Sequence, residues 1–348
     1  MKFKIQFTLC FLVLYVTIYS QTKAKKYNIR TVAFYNVENL FDTIHNQKYD
    51  QDRTPMGKDH YTSKVYWNKI NHMARVISEI GASKAKNSPT IMGLAEVENK
   101  TVVQDLLRTK YLKNKGYGII HYDSPDERGI DVALIYLKRY FKPVSQSKHT
   151  LYLYKSDGKR DYTRDQLLVS GILDGELIHI IVNHWPSRSG GETRSRSLRM
   201  AAAALNVKII DSLQKIYPKA KIITMGDLND DPTSPSLKKV LKTSGKITKV
   251  KPLQMYNPME PLFKKGLNTL AYRDNVNLFD QIIISKPLTL KNYNSYRFFY
   301  AGIYNPSYIT TRSGKFKGYP FRSYSYNKYT GGYSDHFPVY IYLIKERK

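Results

Sequence analysis

The chain predicts an α/β fold built on mixed β-sheets, and three observations carry that reading. Short apolar runs alternate with stretches of helical periodicity along its 348 residues. Small polar clusters stand at the tips of those runs: Asn36 and Glu38, Glu96, His184, Asp227 and Asn229, Asp280, and Asp335 with His336. Most clusters follow their run, but Asp335 and His336 precede FPVYIYLI. If all meet at one edge, the last strand runs against the others, which argues against a purely parallel sheet.

The elements follow in order. Lys2 and Lys4 form a basic start, and residues 7–18 form an apolar stretch too short to span a membrane. This is the pattern of a secretory signal over residues 1–20, with Ser20 or Ala24 at the cleavage point. The single cysteine, Cys10, lies inside it, so the mature chain would carry neither a disulfide framework nor a cysteine-bound zinc. Residues too short of small side chains precede Cys10 for a lipid anchor. One domain is expected over 27–348, since no linker, repeat or low-complexity tract divides it. Strands rich in Ile, Val and Tyr are expected near 30–35, 90–95, 117–121, 131–136, 177–183, 221–225, 280–285 and 337–343. Helices are expected over 63–80, from Val65, Ile70, Met73, Ile77 and Ile80, and over 192–217, from Leu198, Ala202, Leu205, Ile209 and Leu213. Ser234 followed by Pro235 reads as an N-cap opening a short helix through Leu241. Residues 291–333 hold ten tyrosines interleaved with Arg297, Arg312, Lys315, Lys317, Arg322 and Lys328. They read equally as a base-stacking, phosphate-holding surface and as a surface excursion packed on the domain.

Composition bounds the partners. Hydrophobic residues make up 42%, enough for a packed core and too many for a disordered chain. Lys and Arg outnumber Asp and Glu by 56 to 28, a net charge of +28. Such a field attracts polyanions: nucleic acid, anionic lipid or lipopolysaccharide. A lysine-rich composition that only solubilises the protein is the plainer alternative.

The clusters carry the chemistry. Carboxylates, amides and imidazoles gathered at strand ends suit metal-assisted attack on a phosphate ester. In the segment from Gly226 to Pro232, Asp227 and Asn229 project two residues apart, an acid to orient a nucleophile and an amide to donate to phosphate. The same residues would also make an ordinary turn. Glu96 can anchor Mg²⁺, which takes one or two carboxylates plus waters and substrate oxygens; taken alone it is more simply a surface acid. Strand alternation puts Asn36 and Glu38 on one face, while Asn39 or Asp42 could start a helix. His184 and His336, among eight histidines, abut strand ends and titrate where an acid or base must. Arg188, Arg194, Arg196 and Arg199 stand at a helix start, against the helix dipole unless an anion compensates them.

Together Asn36, Glu96, Asn183 with His184, the Gly226-Asp227-Leu228-Asn229 motif, Asp280, and Ser334-Asp335-His336 resemble the endonuclease/exonuclease/phosphatase superfamily of DNase I and exonuclease III. The resemblance implies a four-layer α/β/β/α sandwich with its site at one edge of two sheets. It implies Mg²⁺ or Mn²⁺ at Glu96, with Asn36 and Asp335 close by, and Ca²⁺ as an accessory ion. It pairs His336 with Asp280, gives Asp227 and Asn229 the nucleophile and phosphate, and makes His184 a leaving-group acid. The stretch Arg128-Gly129-Ile130-Asp131 resembles the one where relatives place an arginine or a carboxylate near the phosphate, a role open to Glu127, Arg128 or Asp131; the arginines expected at the substrate phosphate are Arg128, Arg188 and Arg199. Glu38 stands where relatives carry Asp or Gln, and the 291–333 segment has no counterpart.

The expectation is a secreted or periplasmic, monomeric, metal-dependent nuclease acting on DNA or RNA. The alternative on the same scaffold is a phosphodiesterase or phosphatase acting on a lipid or small ester. A polyanion-binding protein with a decayed site is a third reading, disfavoured because every acid, amide and histidine is present.

Overall fold

The computed structural model describes residues 25–45, 50–272 and 275–347. The leader expected over 1–20, Cys10 included, lies outside them. Among the described residues no helix is long and apolar enough to cross a membrane.

Two six-stranded sheets form the centre. The main strands in chain order are β1 (Tyr27–Leu40), β2 (Ile91–Val97), β3 (Tyr117–His121), β4 (Asp131–Leu137), β5 (Phe141–His149), β6 (Gln166–Leu173), β7 (Glu176–His184), β8 (Ile222–Asp227), β9 (Met255–Tyr256), β10 (Asp280–Ser285), β11 (Arg297–Ile303) and β12 (Val339–Glu346). The first sheet runs β11-β12-β1-β2-β4-β3 and the second β9-β10-β8-β7-β6-β5. Both are mixed, as expected. Strands β1 and β2 pair parallel while β12 lies antiparallel to β1, and β7 and β8 pair parallel while β10 lies antiparallel to β8.

Strand alternation builds the layers. Val32 and Phe34 of β1 face the second sheet and meet Ile180, Val182, Ile223 and Met225. Ala33, Tyr35 and Val37 face the other way, onto Ile70, Met73 and Ile77 of α1 (Ser63–Glu79) and Leu106 of α2 (Lys100–Arg108). On the far side, Ile181, Ile222 and Ile283 pack against Ala202, Ile209 and Leu213 of α3 (Glu192–Ile216). The order is therefore helix, sheet, sheet, helix. Gly93 sits where the sheets approach closely: a Cβ there would stand 3.0 Å from both Phe34 and Val182.

Several elements differ from the sequence reading. The helix after Ser234 is one wide turn, Ser236–Val240, closed by the Leu241 N–H on the Ser236 carbonyl, and no side chain caps it. Strands β5, β6 and β11 and helix α2 were not expected. Asn99 caps α2 by accepting from the Val102 N–H at 3.0 Å.

Candidate active site

All six polar clusters reach one edge of the sandwich. Strand register brings several of them together: on the second sheet Asp227 pairs with His184 on one side and with Asp280 on the other. From the first sheet, Asn36 reaches across and donates from Nδ2 to Asp227 Oδ2 at 3.1 Å. A single oxygen, Asp227 Oδ2, is thus the hub. His184 Nε2 lies 3.6 Å from it and His336 Nε2 3.8 Å.

His336 is fixed from behind. Its Nδ1 lies 2.7 Å from Oδ2 of the fully buried Asp280, whose Oδ1 has no protein partner. A carboxylate only accepts, so this contact puts a proton on Nδ1 and turns Nε2 toward Asp227. Burial opposes the charge on His336, but Asp280 and Asp227 outweigh it and hold the imidazole well above its usual range. His184 is the opposite case. Burial and the Arg164 guanidinium push it well below its usual range, and its Nδ1 is buried without a protein partner. It is a neutral imidazole, and its Nε2 stands between Asp227 and Glu96, 3.9 Å from Glu96 Oε1. Asp227 is pushed up to about 6, by burial first and by Asp280 as well.

Bulges aim the acids. The β1–β2 register shifts between Asn36 and Leu40, and β2–β4 shifts between Ala95 and Val97. Glu38, Asn39 and Glu96 take positive φ of 50°, 50° and 63°, a conformation that bulky L-residues rarely hold. Glu96 is anchored by the Asn39 N–H on its Oε2 at 2.9 Å, and Arg128 Nη2 lies 3.3 Å from its Oε1. Burial pushes its carboxyl up, yet Arg128, His184 and His336 hold it well below the usual carboxylate range. It is ionised throughout the neutral range. Asp335 stands at the rim, with Arg322 Nη2 at 3.2 Å.

The bulge corrects the expectation that Asn36 and Glu38 act on one face. Asn36 turns to Asp227, whereas the Glu38 carboxylate accepts from the Ser323 N–H at 2.7 Å and its hydroxyl at 2.9 Å. Burial, then the nearby Asp335, push Glu38 up to about 7. It clasps the Tyr-rich segment to β1.

Two expected phosphate arginines are committed elsewhere. Arg199 is fully buried and donates to Asp230 at 2.7 Å, Ser195 Oγ at 2.8 Å, and the Glu192 and Ser187 carbonyls at 3.2 and 3.3 Å. The anion that compensates this helix start is Asp230, with Glu192 serving Arg196 at 2.6 Å. Arg188 spans the turn after β8, donating to the Asn229 carbonyl at 2.9 Å and to Asp230 and Asp231 at 3.3 and 3.2 Å. Asn229 is likewise tied down, its Nδ2 donating to the Trp185 carbonyl at 3.0 Å. Arg128 does stand at the carboxylates.

Sequence reasoning missed one part and left another without a place in the site. Arg322 belonged to the unplaced segment, and the structure brings it to the rim beside Glu38 and Asp335. Arg164 holds the frame together. It donates to the His184 and Trp185 carbonyls at 3.2 and 2.6 Å and to Asp126 at 2.9 Å, and Asp126 in turn accepts from the Arg128 N–H at 2.9 Å. No local pattern announces such a long-range arginine.

The donor set fits a hard divalent cation. Glu96 is ionised, Asp335 is half-exposed at the same opening, and Asn36 offers an amide oxygen, all oxygen ligands of the kind Mg²⁺ and Mn²⁺ take. A tighter cluster of ligand-capable atoms is Asp227, Asp280 and His336, all within 4.8 Å of one another. Its 2.7 Å histidine–carboxylate contact is that of a proton-handling pair. A second such cluster, His121, Asp123 and Asp131, lies at the β3–β4 turn.

A mixed α/β/β/α sandwich with paired carboxylates, amides and histidines at one edge defines a phosphoester-hydrolase scaffold. The chain belongs to the Endonuclease/Exonuclease/phosphatase family, which it matches over residues 31–345. No curated protein sequence matches it. Its fold is similar to that of a D. rerio TDP2 humanised by 14 mutations, at TM-score 0.53 and 15% identity, covering 91% of this chain and 99% of that one. It is also similar to an endonuclease/exonuclease/phosphatase family protein from Bacteroides thetaiotaomicron, at TM-score 0.53 and 17% identity over 92% and 97% of the two chains. The human nocturnin catalytic domain with bound sulfate stands at TM-score 0.53 and 16% identity over 93% and 97%.

Proposed function

We propose that this chain is a secreted, divalent-metal-dependent nuclease that hydrolyses phosphodiester bonds in DNA or RNA. The observation that carries the reading is the Asp227 hub, with two histidines and Asn36 converging on one carboxylate oxygen. Hydrolysis of a diester needs a proton acceptor for water, donors for the phosphoryl oxygens and help for the leaving oxygen. Asp227 is the acceptor, since its raised pKa keeps it a usable base near neutral pH. His336, kept charged by Asp280, donates from Nε2 and stabilises the charge that builds on the phosphoryl group. His184 works as a neutral donor from Nε2; as an imidazolium acid it would be depopulated at neutral pH. Arg128 and Arg322 flank the carboxylates and orient the anionic substrate. Glu96 and Asp335, with Asn36, would hold the metal, which when bound supplies Lewis-acid stabilisation of the phosphate.

The polymeric substrate is supported by the net charge of +28. It also has a parallel in the fold: a D. rerio TDP2 of TM-score 0.52 and 14% identity is complexed with a single-strand DNA product. The leader supports export, and fractionation of expressing cells checks it. The test of activity is mature protein incubated with supercoiled plasmid, RNA, sphingomyelin and a phosphomonoester, with and without chelator. Metal-dependent cleavage of plasmid or RNA is expected. Turnover of sphingomyelin or the monoester alone would move the protein to the lipid or small-ester class.

A further inference from the structure

The proposed chemistry uses Arg322 of the Tyr-rich segment and leaves its aromatic rings without a task. One of them, Tyr329, lines an open groove of about 780 Å³ on the outer face of α1, with Lys64, Trp67 and Asn68 from that helix and Lys110 and Tyr111 from the turn after α2. No Asp or Glu lines it. Trp67 is 46% exposed, although its ring is braced edge-on by Tyr66 at 5.1 Å. Tyr329 is braced too, against Tyr324 at 5.5 Å and through its hydroxyl on Asn68. Lys110 Nζ stands 5.2 Å from the Tyr111 ring. Braced aromatic rings and two lysines thus line one groove.

We infer that this groove is a second nucleic-acid site, which stacks the unpaired bases of a single strand. The inference rests on the nuclease reading. Aromatic rings accept any base face, and lysines track the backbone phosphates. A duplex hides its base faces, so the groove suits single strands. The two lysines and the lack of acids select a polyanion over a neutral sugar. One chain segment contributes to both groove and active-site rim. Arg322 contacts Asp335, Ser323 is held by Glu38, and Tyr324 pairs across a short hairpin with Tyr329. One segment of eight residues, buried at Ser323 and Tyr324, therefore ties the active-site rim to the stacking groove.

Intrinsic fluorescence tests this directly. The chain has two tryptophans, and the other, Trp185, is buried. A Glu96→Gln variant in chelator is titrated with short oligothymidylate, a blunt duplex, heparin and a neutral hexasaccharide. Oligothymidylate is expected to quench Trp67, the quench to vanish in Trp67→Phe, and affinity to fall roughly 5- to 150-fold in Trp67→Ala, the range that stacking of one base supports. Turnover of a small diester by Trp67→Ala in the otherwise native enzyme should be unchanged. The inference is overturned if oligothymidylate leaves Trp67 unquenched, if heparin or duplex binds there equally well, or if the hexasaccharide is the better ligand. Its failure is separable from that of the nuclease reading. Plasmid and RNA cleavage without Trp67 quenching removes only the groove, whereas quenching without any cleavage keeps the groove as a binding site and removes the nuclease.

Discussion

Replacing Asp280 by Asn removes one charge and almost no volume, which makes it the sharpest probe of the site. In the native protein the Asp280 carboxylate accepts from His336 Nδ1 at 2.7 Å, with both groups buried. The carboxylate does two things: it fixes the proton on Nδ1 and it keeps the ring charged. An asparagine can do neither reliably, because its amide can itself donate to Nδ1 and drive the proton to Nε2. A charge-assisted hydrogen bond contributes about 1.5–3 kcal/mol, which is roughly 10- to 150-fold in rate if it acts only in the transition state. Loss of a correctly protonated acid–base group costs about 10²–10⁴-fold. Asp280→Asn should therefore lower kcat on plasmid by about 10²–10⁴, with little change in KM. Its thermal midpoint should fall, since the buried, charged His336 loses its carboxylate partner. Single-turnover cleavage and thermal unfolding of the same preparation check both. A variant with near-native kcat would show that His336 does not work through Asp280.

Glu96→Gln should abolish turnover while circular dichroism stays native, and full activity in excess chelator would defeat the metal reading itself. Arg199→Met should cost up to about 3–5 kcal/mol of stability, since it removes the buried partner of Asp230 and leaves that carboxylate only Arg188 at 3.3 Å and the Ser236 hydroxyl, yet leave KM unchanged; a raised KM with unaltered stability would return Arg199 to the substrate. The rate should rise with pH through about 6, because Asp227 must lose its proton to act as a base, and a rate that falls over that interval would exclude Asp227 from the role. Glu98 is pushed up to about 7, by burial first and by Asp42, Asp50 and Asp131 as well. A raised carboxyl favours the folded state below the unfolded pKa and loses that contribution as pH rises toward 7. Glu98→Gln should thus raise the melting temperature at pH 8 and not at pH 4, its amide oxygen still accepting from the Asp42 N–H.

What could be read in advance follows from where burial acts. Strands β1, β2, β7, β8, β10 and β12 lie inside their sheets, covered on both faces, so their sequences are dense in apolar residues and the polar tips stand out. Strands β5 and β11 are edges. Most of Phe141–His149 is not buried, so no apolar signal marks it. Gly171 interrupts β6, and the need for a glycine there is tertiary: a Cβ would stand 2.3 Å from Phe141. Arg199 misleads for a related reason. An arginine beside a glycine-rich loop looks like a phosphate ligand until its partner Asp230, thirty-one residues later, is folded against it.

The geometry of the candidate site is the least readable part, because it is made of strain. Glu38, Asn39, Glu96 and Asn229 all hold positive φ at the C-terminal ends of β1, β2 and β8. Such residues cost of order 1–3 kcal/mol each and persist only where their surroundings over-determine them. Here the surroundings are hydrogen bonds that each involve a strained residue: the Asn39 N–H on Glu96, the Asn229 N–H on Asp227, and the Ser323 N–H and hydroxyl on Glu38. Asn39 and Glu96 thereby support each other, Asn229 is held by Asp227 and Glu38 by Ser323, and the same bonds aim Glu96 and Asp227 at the shared opening. Regular strands would send Glu38 to the face of Asn36, as alternation predicts. The bulge sends it instead to the Tyr-rich segment, and that clasp is what brings Arg322 to the rim. The departure from periodicity is therefore the step that joins a segment without a counterpart in the resemblance to the site.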